Sequence, residues 1–311
     1  MIEITNDKPE TMHAEWVLTN VCNYKCSYCD PRLNEGTHRW PSLNDSLRFW
    51  NYVHKEVNQN HKMLTLTGGE PTLWPNLIPF LQGLDSNYET SIVSNGSRTL
   101  KYWDRLVNSV NLTQITISVH FEYADFKHLF SVIDIIGTAS CLTVLIMYDI
   151  KNIQVSKEFA EKVKDLNLPC RLMIKPITDR TYIKDNKSIE YTLQQKQFIQ
   201  EFYYNNQNKK SNNKTAVDVY IDRVKYDISK LLELVAENKH SFKGWTCNAG
   251  YNRLVVWYDG NVYGAQCSTA KKNLLGNIKN EYHNIEVNPI ICNTEFCACI
   301  PDIRIPKKRY V

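Results

Sequence analysis

Six short runs of β-forming residues, separated by helical patterns, constrain the fold of this chain more than any other feature. The runs are apolar on both predicted faces, as strands of a buried parallel sheet are. Six β-then-α units predict an α/β fold, with a parallel sheet and outer helices in a partial barrel or a doubly wound sheet. The runs lie at residues 14–19, 62–67, 90–94, 113–119, 142–148 and 170–175.

Helical periodicity and capping residues mark the segments between these strands. After Ser42, apolar residues recur every three or four positions, and Ser42 with Asp45 resembles a capping box in which Asp replaces Glu. In folds of this kind ligands gather at the carboxyl ends of the strands, so we expect a functional site there. Further helices are predicted over residues 102–110, 123–136 and, capped by Ser156, 157–166.

Composition and charge limit the possible functions. With 311 residues, 43% apolar and 23% charged, the chain is predicted to form one large globular domain and a small one. The net charge of +4 is not concentrated in a basic block, which disfavours nucleic acid as the main partner. The first residues lack a secretion signal, and the most apolar region, 132–148, is too short and mixed to span a bilayer. We therefore expect a cytoplasmic protein without a membrane partner, whose ten cysteines favour metal ligation over disulfides.

Three thiols lie within eight residues directly after the first predicted strand, in the segment CNYKCSYC. They belong to Cys22, Cys26 and Cys29. A closed tetrahedral metal site uses four protein ligands, whereas a site that binds a reactant at the metal keeps one position open. Three cysteines without a local fourth ligand therefore indicate chemistry at a metal. A structural zinc knuckle with a distant fourth ligand is the alternative.

Polar motifs also follow the next three predicted strands. In TGGEPT, after the second strand, Gly68 and Gly69 allow a ligand to approach bare backbone and Glu70 offers a carboxylate to a cationic group. A turn that merely contains two glycines is the alternative. The segment SNG at 94–96 follows the third strand and SVH at 118–120 follows the fourth. Because the carboxyl ends of parallel strands meet at one edge, we expect these motifs to surround one mouth.

With these motifs at these positions, the sequence resembles the radical S-adenosylmethionine (radical SAM) superfamily over roughly residues 12–180. The cysteine segment matches the family signature CxxxCxxC, with Tyr28 as the aromatic residue before the last cysteine, and GGEP matches the second family motif. The resemblance implies that the three thiolates hold three irons of a 4Fe-4S cluster, whose fourth iron is chelated by the amino and carboxylate groups of S-adenosylmethionine (SAM). One electron, from a reductant such as flavodoxin or ferredoxin, then cleaves SAM into methionine and a 5′-deoxyadenosyl radical that abstracts hydrogen from a substrate.

The resemblance also implies which residues contact SAM. The glycine pair and Glu70 should meet the methionine amino group, and Tyr28 should lie by the adenine. Ser118 or His120 could reach the ribose. A structural hydrogen-bonding role is the alternative for His120.

The last 65 residues hold a second group of five cysteines. Cys247 and Cys267, here called the hairpin pair, flank a hairpin that Asp259 and Gly260 predict. After a radical SAM core, this arrangement resembles the twitch subdomain, a shortened SPASM domain that binds an auxiliary iron-sulfur cluster. A structural zinc is the alternative. The remaining three are Cys292, Cys297 and Cys299.

A fully ligated auxiliary 4Fe-4S cluster takes four thiolates, so one of the five tail cysteines is spare. Because Pro301 limits the backbone next to Cys297 and Cys299, we predict that these two and the hairpin pair are the ligands and that Cys292 is spare. The spare thiol is either a buried apolar side chain or a donor that returns a hydrogen atom to the substrate. A fully ligated cluster suits electron transfer, whereas an open iron could bind substrate.

These observations predict three segments. Residues 1–185 form the core, by resemblance a partial (β/α)6 barrel, 186–240 form a helical connector, and 241–311 form a small β-hairpin and helix subdomain for the auxiliary cluster. Cys141 and Cys170 stand apart from both cysteine groups. We predict that both are small buried apolar side chains on strands.

The substrate is predicted only by class. Twitch and SPASM relatives modify peptides or small molecules such as sugars and aminocyclitols. Since only about a dozen residues precede the first predicted strand, we expect recognition of a leader peptide to be external or absent. We therefore predict hydrogen abstraction from a small polar metabolite, a carbohydrate or nucleotide derivative, with the auxiliary cluster as electron acceptor or substrate anchor. Epimerisation or crosslinking of a peptide is the second prediction, and a non-catalytic metal-binding interaction protein, disfavoured by the intact motifs, is the third.

Overall fold

The computed structural model contains fifteen strands and eight α-helices within the residues that it describes, numbered below in chain order. Cys141 and Cys299 lie outside those residues, so the predictions for these two cysteines stay predictions. The described residues are 2–6, 11–38, 40–57, 60–139, 142–168, 170–177, 190–206, 219–226, 228–267, 274–279, 289–297 and 300–309.

The six predicted strands form most of the main sheet. Each pairs in parallel with the next along the chain, which confirms the predicted parallel sheet. Within the described residues the last of the six lies at an edge of the sheet, so closure into a partial barrel stays a prediction. The six are β2 (Thr11–Val17), β3 (His61–Thr67), β4 (Tyr88–Ser94), β5 (Gln114–Val119), β6 (Leu142–Tyr148) and β7 (Cys170–Pro176).

Five α-helices connect these strands. The predicted cap at Ser42 is confirmed, because its hydroxyl accepts a hydrogen bond from the Asp45 amide at 3.4 Å. The predicted cap at Ser156 is wrong: the helix begins three residues earlier, and the Ser156 hydroxyl donates to the Asn152 carbonyl at 2.8 Å within the first turn. The helices are α1 (Leu43–Glu56), α2 (Leu77–Gly83), α3 (Leu100–Ser109), α4 (Phe126–Ala139) and α5 (Ile153–Asp165).

Aromatic side chains fill the space between β2 and the helices. The ring of Trp16 lies 5.8 Å from Trp50 of α1, 5.8 Å from Trp74 and 5.2 Å from Phe80 of α2, centroid to centroid. All four side chains are buried. Because side chains alternate along a strand, this packing turns the neighbours of Trp16, including Glu15, to the opposite face of the sheet.

That opposite face carries many polar side chains among apolar ones, so the prediction that the strands are apolar on both faces is wrong. Glu15, Thr65, Ser91, Thr116 and Thr143, one from each of β2–β6, line a cavity there. Threonine and serine fit the β-rich pattern of a short strand as well as apolar residues do. The residues that face the helices therefore produced most of the apolar pattern in the sequence. The polar residues that alternate with them, on the cavity side of the sheet, were missed.

The C-terminal part of the chain extends the same sheet. β11 (Arg253–Val256) pairs in parallel with β2, and β12 (Asn261–Tyr263) returns antiparallel to β11. The hairpin predicted from Asp259 and Gly260 is confirmed, and Gly260 has the positive φ of 89° that favours glycine. β13 (Gly276–Asn277) pairs with β12 and forms the edge in the described residues.

A second, antiparallel sheet was not predicted. Its strands are two to five residues long, too short to show a period in the sequence. It includes strands from segments at both ends of the chain. The division into segments 1–185, 186–240 and 241–311 stays a prediction. In order across the sheet the strands are β14 (Ile290–Ile291), β10 (Thr246–Cys247), β15 (Lys307–Arg309), β1 (Ile2–Asn6), β8 (Val219–Ile221) and β9 (Val224–Tyr226).

Three further α-helices follow β7 along the chain. They are α6 (Leu193–Asn206), α7 (Ile228–Ala236) and α8 (Ile300–Ile303). None of the helices that the structure describes is long and apolar enough to cross a membrane. The isolated thiol of Cys170, at the start of β7, is buried in the main core, which confirms its prediction as a small buried side chain.

A buried ionic network fastens β11 to β2. The Arg253 guanidinium contacts the Glu15 carboxylate, lies 3.5 Å from Asp302 Oδ1 and donates to the His13 carbonyl at 3.4 Å. Asp302 Oδ2 accepts a hydrogen bond from the backbone amide of Gln266 at 3.0 Å. Buried charges persist where several partners satisfy each of them, as here.

We expect the substitution Arg253→Leu to lower the free energy of unfolding by about 3–5 kcal/mol, because it leaves two buried carboxylates without their cation. Chemical denaturation under anaerobic conditions, followed by circular dichroism, measures the change. Arg105→Leu, on the exposed side of α3, is the matched control and should shift the same quantity by about 0.5 kcal/mol or less. Equal denaturation midpoints for the two variants would show that the network does not stabilise the fold.

Candidate active site

A cavity of about 540 Å³ lies on the polar face of the main sheet, with the loops at the carboxyl ends of the strands in its wall. Residues from α7, β11 and α8, which follow the six parallel strands along the chain, also line the cavity. Cys247 and Cys292 are not among its lining residues. The predicted site residues in its wall are Cys22, Cys26, Tyr28, Cys29, Gly68, Gly69, Glu70, Ser118, His120, Cys267 and Cys297.

The three front thiols lie in a hydrogen-bonded loop after β2. The Cys29 amide donates to the Cys26 carbonyl at 3.0 Å, and the Tyr24 amide donates to Cys22 Sγ at 3.4 Å. A longer contact of 3.9 Å joins Asn95 Nδ2 to Cys22 Sγ. These contacts position the thiols along one wall of the cavity.

Burial raises the pKa of Cys22 to about 11 and that of Cys26 to about 12, and the neighbouring Cys29 adds to both shifts. Both thiols are thus protonated at neutral pH until a metal displaces the protons. Among the described residues, no three His, Cys, Asp or Glu side chains are placed to hold a metal ion. A four-iron cluster does not require its ligands to converge on one ion, because each thiolate binds a different iron. Three thiols along one cavity wall fit such a cluster.

The segment between β5 and α4 anchors the cysteine loop. Glu122 accepts a hydrogen bond from the Ser27 amide at 2.7 Å and also contacts the Ser27 hydroxyl. Tyr123 donates to the Lys25 carbonyl at 3.1 Å and stacks on Tyr24 at a centroid distance of 5.4 Å. Sequence reasoning missed Glu122. Its only signal was its position two residues after the SVH motif, at the carboxyl end of a predicted strand.

The two glycines of the GGEP motif meet the chain itself at close range. A Cβ on Gly69 would lie 2.2 Å from the Val21 carbonyl oxygen, and one on Gly68, whose φ is 132°, would lie 2.6 Å from the Thr19 carbonyl oxygen. The Gly69 and Glu70 amides donate to the Thr19 and Val21 carbonyls, both at 2.8 Å. The bare backbone predicted to receive a ligand therefore also receives the start of the cysteine loop.

Glu70 is buried and extensively hydrogen-bonded. Its Oε1 accepts from the Thr72 amide at 3.0 Å, the Thr72 hydroxyl at 2.6 Å and the Ser94 hydroxyl at 2.8 Å. Its Oε2 accepts a hydrogen bond from the backbone amide of Asn95 at 2.7 Å. Burial raises the pKa of the carboxyl group, and these hydrogen bonds oppose the shift. Glu70 therefore ties the GGEP motif to the SNG segment, while Oε2 retains acceptor capacity on the cavity side.

Tyr28 and His120 form a pair across the cavity mouth. The Tyr28 hydroxyl lies 2.9 Å from His120 Nδ1, and the two rings stack at a centroid distance of 5.9 Å. Burial, followed by the charge of Lys175, lowers the pKa of His120 to about 4. His120 is therefore neutral at neutral pH and acts as a hydrogen-bonding group, while Ser118 lines the cavity beside it.

The four tail thiols within the described residues, Cys247, Cys267, Cys292 and Cys297, are buried. Cys247 and Cys267 share one apolar cluster, and Cys297 belongs to a second. Strand pairing sets Cys247 opposite Lys307, whose Nζ donates to three backbone carbonyls at 2.5, 2.9 and 3.3 Å. Burial opposes the charged form of Lys307, but Cys247, Cys297, Asp302 and Cys292 together outweigh it and raise the lysine pKa. The Cys292 thiol points to the Thr294 carbonyl at 3.9 Å.

Comparison with known proteins identifies a matching family model and several sequence relatives. The family model of the Radical SAM superfamily matches residues 16–180. GTP 3′,8-cyclase of Pasteurella multocida is 27% identical over 38% of this chain and 35% of the cyclase, so the match spans about a third of that relative. The 7-carboxy-7-deazaguanine synthase of Clostridium acetobutylicum is 28% identical over 56% of this chain and 80% of the synthase.

Solved structures share the fold over most of the chain. Native anSMEcpe with bound AdoMet has a TM-score of 0.56 at 18% identity and covers 89% of this chain and 81% of its own. Streptococcus suis SuiB bound to its precursor peptide SuiA has a TM-score of 0.58 at 11% identity, over 88% of this chain and 63% of its own. At these identities the likeness shows the fold, and it confirms the predicted α/β architecture.

We expect Gly69→Ala to remove the iron bound by the front thiols, because the new Cβ displaces the backbone that positions them. Iron content after anaerobic reconstitution and the visible absorption of the cluster measure the loss. Gly36→Ala is the matched control: Gly36 also has a positive φ, 70°, but a Cβ there meets nothing within 4 Å. If Gly69→Ala binds as much iron as Gly36→Ala, the close approach does not govern the thiols.

Proposed function

The chain belongs to the radical SAM superfamily, and we propose on this basis that it is an enzyme that cleaves SAM reductively and abstracts hydrogen from a small polar metabolite. The observation that carries the proposal is one cavity lined by the three thiols of CxxxCxxC, the GGE residues and a polar sheet face. When bound, a 4Fe-4S cluster and SAM supply the electron and the 5′-deoxyadenosyl radical.

Residues of this chain bind and orient these groups in the proposal. Cys22, Cys26 and Cys29 are the cluster ligands. Glu70 Oε2 and the adjacent glycine backbone accept the methionine ammonium of SAM, since a buried, hydrogen-bonded carboxylate is fixed in place before the cation arrives. The aromatic ring of Tyr28, held by His120, lies by the adenine.

The polar sheet face favours a small polar substrate. Side chains with hydroxyl, amide and charged groups line the cavity along the strands, among apolar ones, and retain donor and acceptor capacity for a polar ligand. Relatives named GTP 3′,8-cyclase and S-adenosylmethionine-dependent nucleotide dehydratase support a nucleotide or carbohydrate derivative. The likeness to SuiB, which was solved with a peptide, is a likeness of fold and does not favour a peptide substrate here.

We further propose that the tail binds one auxiliary 4Fe-4S cluster in a twitch-like subdomain within residues 241–311. Cys267 and Cys297 line the same cavity as the front thiols, so a cluster there can accept an electron from the substrate or anchor it. The proposed ligands are Cys247, Cys267, Cys297 and Cys299. A reductant such as flavodoxin or ferredoxin supplies the first electron.

Anaerobically reconstituted protein should contain about eight irons, as two four-iron clusters require, and should convert SAM into methionine and 5′-deoxyadenosine after reduction. Replacing Cys22, Cys26 and Cys29 together with alanine should remove about half of the iron and all cleavage. Iron analysis and chromatography of the products measure both. Cys170→Ala, which alters a buried thiol outside both groups, is the control and should retain them. Stoichiometric zinc with only four irons would contradict the auxiliary cluster, and an iron-loaded protein without cleavage would contradict the enzyme.

Single variants of the tail thiols test the ligand set. Cys297→Ala and Cys299→Ala should each perturb the electron paramagnetic resonance spectrum of the auxiliary cluster, because each removes a thiolate from iron. Cys292→Ala should preserve the spectrum. Loss of the cluster in Cys292→Ala together with its retention in Cys299→Ala would reverse the assignment of ligand and spare thiol.

A further inference from the structure

Polar side chains form a continuous row across the cavity face of the main sheet. Strand register places Glu15 opposite Thr65, Thr65 opposite Ser91, and Ser91 opposite Gln114. Two residues further along β5, on the same face, Thr116 lies opposite Thr143, which lies opposite Arg171. The seven residues, here called the polar row, are Glu15, Thr65, Ser91, Gln114, Thr116, Thr143 and Arg171, and all of them line the cavity.

The middle of the row is hydrogen-bonded within itself. The hydroxyls of Thr65 and Ser91 lie 2.9 Å apart. The amide of Gln114 donates to Thr116 Oγ1 at 3.1 Å and to Thr143 Oγ1 at 2.9 Å. Each hydroxyl has one donor and two acceptor sites, so these bonds leave capacity for a ligand. Apolar side chains would fill a sheet interior at lower desolvation cost, and the row is therefore suited to binding polar groups.

The two ends of the row differ in charge. At one end the Glu15 carboxylate is bound by Arg253 and by the side chain of Gln266. At the other end is Arg171, and Lys175 lies four residues further along β7, on the same face. Arg304 lines the cavity from the segment after α8.

Among the described residues, five Lys or Arg side chains and three Asp or Glu side chains line the cavity. Two acidic groups of this wall contact basic ones in it, Asp30 with Arg32 and Glu15 with Arg253. The third is Glu70, which lies at the GGEP motif and is held by four hydrogen bonds. The remaining basic residues of this wall are Arg171 and Lys175, both on β7, and Arg304.

We propose that the polar row and this cationic end select an anionic, hydroxyl-bearing small molecule, the chemistry shared by nucleotides and sugar phosphates. Hydroxyl groups of the molecule bind the middle of the row, and its phosphate binds Arg171, whose planar guanidinium matches the geometry of two phosphate oxygens. Lys175 adds a second positive charge. The assignment rests on the proposed function and names the class of substrate for the same cavity.

Binding of matched pairs of compounds tests the proposal. Isothermal titration calorimetry on reconstituted protein with SAM present compares GTP with guanosine and glucose 6-phosphate with glucose. In at least one pair the phosphorylated compound should bind ten times more tightly or better, and which pair shows this distinguishes a nucleotide from a sugar phosphate. Arg171→Gln should remove at least ten-fold of that preference, and Arg171→Lys should retain part of it because the charge remains. Arg105→Gln, on the exposed side of α3, should leave binding and SAM cleavage as in the wild type.

Circular dichroism and iron content show whether each variant is folded and loaded, and Lys175→Gln is the second variant should Arg171→Gln fail to fold. Equal affinity for the members of both pairs in the wild type would overturn the proposal. So would an unchanged preference in a folded Arg171→Gln variant, or a loss of iron there, which would assign the arginine to the cluster. Failure of the proposed function has another signature, since wild-type protein would then bind the phosphorylated compound but would not cleave SAM.

Discussion

The site depends on the approach of two stretches of backbone at the ends of β2 and β3. The hydrogen bonds from Leu18 to Thr67 and from Gly69 to Thr19, both 2.8 Å, continue the strand pairing beyond both strands. The close approach requires Gly68 and Gly69, because a Cβ at these positions would lie 2.6 Å from the Thr19 carbonyl oxygen and 2.2 Å from that of Val21. It fixes the cysteine loop relative to the GGEP motif, and Glu70 then fixes the GGEP motif relative to the segment after β4. Main-chain contacts thus fix the start of the cysteine loop, and the carboxylates of Glu70 and Glu122 tie this region to the segments after β4 and β5.

Ionic contacts hold the part of the cavity wall that β11 and α8 form. Glu15 lies two residues before the end of β2, so the strand that leads into the cysteine loop also carries the carboxylate that binds Arg253 of β11. Asp302 connects the same network to the segment that follows Cys297, and its partner Gln266 precedes Cys267. A single ionic cluster therefore sets the position of both cavity-lining tail thiols relative to the front loop. In a low dielectric such a cluster tolerates little displacement, because any separation exposes an uncompensated charge.

The sequence predicted the elements whose signals are local. The six parallel strands, the cap at Ser42, the turn at Asp259 and Gly260 and the cysteine loop all follow from short-range chemistry. What was missed depends on distant partners: β1 and β15 are too short to show a pattern, and Glu122 gains its role only through Ser27, 95 residues away. The polar face of the sheet was hidden because threonine suits a strand whichever side it faces. The capping prediction at Ser156 failed because that hydroxyl bonds a carbonyl in the preceding turn, an interaction that the sequence pattern does not distinguish from a cap.

The pairing of Ile2 with Arg309 gives the molecule an order of assembly. Strands β2–β7 each pair with the next along the chain, so their sheet forms through contacts of moderate sequence separation. β1 pairs instead with β8 and with β15, both far along the chain, and β10 with Cys247 pairs with the same late strand β15. During synthesis the front loop can therefore take its final shape while the tail thiols still lack their scaffold. The second sheet, with the strand that carries Cys247, can then form only after the six parallel strands have been synthesised.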